Sequence, residues 1–163
     1  MIILGIDPGI AIVGWGVIDF TGNKMRPIAF GAITTPAHTP VTQRLHDIYR
    51  ELGAIIDKYK PQAMAVEELF FNTNVKTAIT VAHARGIILL CAAQKGLPDF
   101  EYTPLQVKQS LTGYGRADKA QIQNMVKIML GLNAVPKPDD VADALAIAIC
   151  HAHSANLSSL GYI

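Results

Sequence analysis

Apolar residues along the chain fall into two rhythms. Short, nearly unbroken runs end in turn residues: Ile2 to Ile6 closes on Asp7-Pro8-Gly9, and Val13 to Phe20 closes on Thr21-Gly22-Asn23-Lys24. With Met25 to Thr34 they predict three buried strands, and connections this short join them into an antiparallel meander. Thr39-Pro40 reads as the N-cap and first position of a helix running to about Tyr59, with Leu45, Ile48, Leu52, Ile55 and Ile56 at helical spacing and Pro61 as its stop. Ala63 to Glu67 is a fourth strand. Thr73 to Lys95 is a long apolar helix closed by Gly96-Leu97-Pro98, and Phe100 to Thr103 is a fifth strand. Pro104 opens a short helix through Leu111, Gly113-Tyr114-Gly115 is a loop, and Asp118 to Leu130 and Asp139 to about Ser154 are helices. The order predicts an α/β fold with a mixed five-stranded sheet flanked by helices.

A length of 163 residues suits one domain spanning 1–163. Half the residues are hydrophobic and 17% charged, which argues for a compact core. The run after Met1 has no basic flank and is too short for a signal peptide or a membrane span, so a soluble, cytoplasmic protein is expected. Cys91 and Cys150 each sit in apolar helical patterns with no second cysteine at ligand spacing, and read as buried thiols. The net charge of +1 is weak for a nucleic-acid protein, but its distribution is uneven. Between Tyr102 and Lys137, the bases Lys108, Arg116, Lys119, Lys127 and Lys137 face Asp118 alone. Beyond Pro138 come Asp139, Asp140 and Asp143 with no base. A basic stretch beside an acidic cluster suits a surface that grips polyanions next to one that binds cations; an ordinary solvated face is the plainer alternative.

Three elements end in, or begin with, acids. Asp7 closes the first strand, Glu67 closes the fourth, and Asp140 and Asp143 lie i, i+3 on the last helix. A carboxylate at the end of a buried apolar run must be exposed, paired or metal-bound, because an unpaired buried charge is very costly. Few bases lie close along the chain, so a divalent cation is the natural partner. Oxygen ligands without His or Cys favour magnesium, with manganese able to substitute. Several carboxylates around two such ions suit phosphodiester hydrolysis. Spacing leaves alternatives: Asp7 could open an Asx turn, Glu68 rivals Glu67, and Asp139 could be the helix N-cap or take the place of Asp140.

Ile2-Ile-Leu-Gly-Ile-Asp7-Pro-Gly followed by Gly14-Trp-Gly-Val resembles the opening of the RuvC-type Holliday-junction resolvases. Ala65-Val-Glu-Glu-Leu-Phe70, Ala84-Arg85-Gly86, Gln106-Val-Lys108-Gln and Asp140-Val-Ala-Asp143-Ala-Leu-Ala-Ile-Ala-Ile are similar too, in the family's order, over residues 2 to about 153. The resemblance implies an RNase H-like fold and a homodimer. It implies paired symmetric nicks in four-way DNA junctions, leaving 5′-phosphate and 3′-hydroxyl ends, in recombination and repair. It implies Asp7, Glu67, Asp140 and Asp143 as the acids holding two Mg2+ ions, which chooses Asp140 over Asp139 and Glu67 over Glu68. Lys119 and Lys108 fall on family lysines tied to activity or DNA contact, and Phe70 on the aromatic that opens the crossover. Arg116 shares the basic stretch and is counted with the DNA contacts. Phe71 either stacks on bases or folds into the core, and Arg85 either touches DNA or is structural. A branch-migration helicase complex is a further expected partner.

The helix at 73–95 is apolar on more than one face through Val75, Ile79, Ala82, Ile87, Leu90 and Ala93, so one face is expected to cover the sheet and another a two-fold mate. One departure stands out: no Lys or Arg follows Lys137, where the family often carries a basic tail. The competing readings are another RNase H-like nuclease, an actin-like ATP-binding protein suggested by Gly5-Ile-Asp-Pro-Gly9, and a DNA-binding module without catalysis.

Overall fold

A computed structural model describes residues 1–68 and 75–159. Five strands, β1 (Ile2–Asp7), β2 (Ile12–Thr21), β3 (Lys24–Thr34), β4 (Ala63–Glu67) and β5 (Asp99–Tyr102), form one sheet in the order β3-β2-β1-β4-β5. β1, β2 and β3 pair antiparallel, as the short turns demand, while β4 and β5 join in parallel after helical crossovers. The expected mixed sheet is borne out.

The helices are α1 (Val41–Tyr59), α2 (Val75–Gln94), α3 (Pro104–Thr112), α4 (Lys119–Met129) and α5 (Asp139–Ser159). Thr103 caps α3 and Asp118 caps α4, each in a reciprocal box with the Gln three residues on. The start of α1 departs from expectation. Pro40, not Thr39, is the N-cap, and no side chain caps it. The Thr39 N–H is taken by the Pro36 carbonyl at 3.2 Å, which holds Thr39 in the preceding turn. The last helix runs five residues past the expected Ser154.

Alternation along the strands divides the core in two. Leu4, Ile6, Met64 and Val66 point toward α1 and α2, where they meet Ile48, Leu52, Ala84 and Ile88. Ile3, Ala65 and Tyr102 point the other way, toward α5, with α3 and α4 packed outside it. Cys91 and Cys150 are buried free thiols, one in each half, and burial pushes the Cys150 thiol up to about 11.

The α5 side is built on missing side chains. A Cβ on Gly5 would strike the Ala144 carbonyl, one on Gly14 the Asp140 carbonyl, and one on Gly16 the Leu145 side chain. Gly14 lies opposite Asp7 in the β1–β2 register, and Gly16 opposite Gly5. Glycine inside a strand commonly marks a close approach of another backbone. Here it lets α5 lie directly on the sheet.

Candidate active site

With α5 seated on Gly14, the Asp140 backbone rests on the strand residue that faces Asp7. Asp7 belongs to the same sheet face as Ile3 and Gly5. Glu67 belongs to the same face as Ala65, one position past the β1–β4 pair Ile6–Val66. Period-two alternation thus turns both strand-end acids toward the helix that carries Asp140 and Asp143.

Their electrostatics show one shared site. The Asp7 carboxyl is pushed up to about 8, first by burial and then by the charges of Glu67, Asp143 and Asp140, with Lys119 opposing. Burial, then the Asp143 charge, also raises Glu67. Burial raises Asp143 against the pull of Lys119. Glu68 lies beyond the strand end and is exposed.

The chain's sequence places few bases near these acids, and its fold adds one. Lys119, at the start of α4, sits with Nζ 3.2 Å from Asp143 Oδ2 and 3.3 Å from Asp139 Oδ2. Partial burial pulls the ammonium down, and the hydrogen bonds to Asp143 and Asp139 outweigh that pull. Asp139 also holds Lys137 Nζ at 2.6 Å, and these two lysines keep its carboxyl below the usual range. Its carboxylate is thereby occupied as a lysine partner rather than as a helix cap. Glu67, Asp143, Lys119 and Lys108 share the wall of an open cleft of about 250 Å³, floored by Val107 and Ile147. Arg116 is exposed in the turn before α4 and does not line this cleft. Phe70 and Phe71 lie outside the described residues.

The donor set fits hard divalent cations. All the converging groups are carboxylates. The two histidines of α5 are engaged elsewhere: His151 Nδ1 with the Tyr102 hydroxyl at 2.8 Å, and His153 Nδ1 with the Ser110 hydroxyl at 2.9 Å. Among the described residues no three acid, His or Cys side chains stand ready-made as a ligand cage, although Asp7 feels three other carboxylates.

Two supports of the site were not legible as motifs. The loop after Asp7 is pinned by buried Thr35, whose hydroxyl donates to the Ile10 carbonyl and accepts from Arg44 Nε at 2.7 Å. The glycine seat under α5 is the other. Its signal, glycine inside apolar strands, was present but pointed to no particular partner.

The family model for the crossover junction endodeoxyribonuclease RuvC matches residues 3–151. The chain belongs to this family. A RuvC of Alkaliphilus oremlandii is 61% identical over 160 residues, covering 98% of both chains. The solved RuvC of Thermus thermophilus superposes with a TM-score of 0.91 at 38% identity, covering 97% of both chains. The same enzyme in complex with a Holliday junction substrate superposes at 0.88 and 35%, covering 99% of this chain and 98% of that one. The architecture is therefore RNase H-like, and the chain is an endonuclease of the RuvC family, whose members are metal-dependent nucleases. The actin-like and non-catalytic readings fall away. Among the described residues no helix is long and apolar enough to cross a membrane.

Proposed function

We propose that residues 1–163 form one nuclease domain that resolves four-way DNA junctions by paired symmetric nicks. The products are 5′-phosphate and 3′-hydroxyl ends, made in the cytoplasm during recombination and repair. The observation that carries this reading is the convergence of Glu67, Asp143 and Asp140 on Asp7 beside Lys119. Asp7, Glu67, Asp140 and Asp143 would hold two Mg2+ ions. When bound, those ions supply an activated water and neutralise charge on the leaving 3′ oxygen. Lys119 is tethered at the cleft by Asp139 and Asp143, and places a cation where charge builds on the phosphoryl group. Lys108, in the cleft wall, and exposed Arg116, in the turn before α4, neutralise backbone phosphates, so affinity falls with salt. Phe70 stacks on bases opened at the crossover.

Paired nicks need two active sites, and the exposed face of α2 supports a homodimer. Ile79 (51% exposed) and Leu90 (47%) bracket His83 and Gly86 on one helical stripe, opposite buried Ala84, Ile88 and Cys91. A Cβ on Gly86 would meet nothing within 4 Å among the described residues. Mid-helix glycine costs about 1 kcal/mol relative to alanine, so the bare position is best accounted for by the close approach of a second helix. A branch-migration helicase complex is the further partner in this reading.

The test uses a labelled four-way junction and a matched linear duplex, each with Mg2+ and with EDTA. Symmetric, Mg2+-dependent nicks in opposed strands of the junction alone are expected. Equal cutting of both substrates would point instead to a general nuclease.

A further inference from the structure

The Ala84-Arg85-Gly86 stretch has so far contributed only Gly86, yet Arg85 reaches the edge of the acid cluster. Its side chain leaves α2 and is only 15% exposed. Nε–H donates to the Glu67 backbone carbonyl at 3.2 Å. Nη2 stands 2.7 Å from Glu101 Oε2 on β5. That second approach is off-line, since buried Nη2 makes no hydrogen bond of acceptable angle. Glu101 therefore attracts the guanidinium chiefly by charge.

The consequence falls on one peptide unit. The Glu67–Glu68 peptide offers its carbonyl to Arg85, and its N–H, that of Glu68, donates to the Tyr102 carbonyl at 2.9 Å. β4 ends at Glu67, which pairs with Tyr102 at the end of β5. Pinning the peptide on both sides fixes the backbone of Glu67, and with it the direction of the bond that carries its carboxylate. Tyr102 is in turn anchored through its hydroxyl to His151 of α5, the helix that bears Asp143. The clamp thus refers Glu67 both to α2 and to α5.

We propose that Arg85 is the positioning residue for Glu67: by holding the Glu67–Glu68 peptide against β5, it aims the carboxylate at Asp7 and Asp143 and makes that aim depend on how α2 is seated. The proposal rests on Glu67 being one of the metal-binding acids. It also gives the bare α2 face a second consequence, because whatever covers that face steadies the helix from which Arg85 reaches. A lysine in its place would keep the charge that Glu101 attracts but lose the fixed Nε–H that donates to the Glu67 carbonyl.

The test compares Arg85→Gln, Arg85→Lys, Glu101→Gln and Glu67→Gln in the full chain. Three readouts are taken: single-turnover cutting of a labelled junction, junction affinity in EDTA across a salt series, and Mn2+ affinity. Arg85→Gln is expected to slow cutting at saturating junction by roughly 10–100-fold, the scale of a misplacement near 1 Å. It should weaken Mn2+ several-fold and leave EDTA affinity and its salt slope unchanged. Arg85→Lys should recover part of the rate. Glu101→Gln, which leaves Arg85 in place, should show a smaller loss of the same kind, and it carries the test if Arg85→Gln does not fold. A drop in EDTA affinity with a salt slope smaller by about one would make Arg85 a phosphate contact and overturn the proposal. So would a lowered Tm with an unchanged rate well below it. A wild-type rate in Glu67→Gln would remove the metal-site reading and this inference with it. An inactive Glu67→Gln beside a fully active Arg85→Gln would overturn this inference alone.

Discussion

The two faces of the sheet are packed on opposite principles. Toward α1 and α2 the strands present Leu4, Ile6, Met64 and Val66, large side chains that hold the helices off and fill the gap with hydrocarbon. Toward α5 the sheet presents Gly5, Gly14 and Gly16, and the helix answers with its own backbone at Asp140 and Ala144. The first face gives stability and tolerates adjustment. The second packs apolar side chains as well, but its glycines add proximity, and proximity lets acids from β1, β4 and α5 share one field. In this fold, function is placed as much by side chains removed as by side chains supplied.

The largest effect that would break the contrast is at the acids themselves. Asp7→Asn should reduce junction cutting by roughly 10³-fold or more while leaving junction binding in EDTA intact, read by gel cleavage and fluorescence anisotropy. Gly14→Ala comes next. The new methyl must displace the Asp140 backbone, so a rate loss on the order of 10–100-fold is expected. The accompanying stability cost should be about 1–3 kcal/mol. Its counterpart on the other face, Ile88→Val, should cost about 1 kcal/mol by denaturant titration and leave the rate unchanged. Equal rate losses from both substitutions would erase the distinction between the faces.

A smaller effect concerns pH. Asp7 titrates near 8 in the folded chain, above the ordinary carboxylate range, so the folded chain keeps a proton that the unfolded chain releases. Stability without divalent ions therefore falls as pH rises from roughly 4 to 8, and Asp7→Asn should flatten that fall in thermal melts. The cation competes with the same proton, so Mg2+ affinity should rise with pH across the window. The smallest effect on the stability of the single chain is expected from Gly86→Leu, which should shift sedimentation toward monomer and leave the chain folded.

Much of this was legible beforehand, for local reasons. Strand and helix bounds follow from periodicity and from Gly and Pro stops, and the acids stand out because Asp7, Glu67 and Asp143 interrupt apolar runs. What was not legible depends on pairs distant in sequence. Lys119 meets Asp143 only because α4 packs on α5. Arg85 meets the Glu67 carbonyl only because α2 returns across β4 and β5. Thr39 failed as a cap because the Pro36 turn competes for it. The glycines carried a general signal, close approach, whose partner only the fold names.

Acids from β1, β4 and α5 are proposed to form one cation site. Its most direct measurement is a Mn2+ titration at pH 8, by calorimetry, of the wild-type chain and Asp7→Asn. Two ions per chain in the wild type, with one lost or both greatly weakened in Asp7→Asn, is the predicted result. Identical stoichiometry and affinity in the two proteins would show that Asp7 holds no cation.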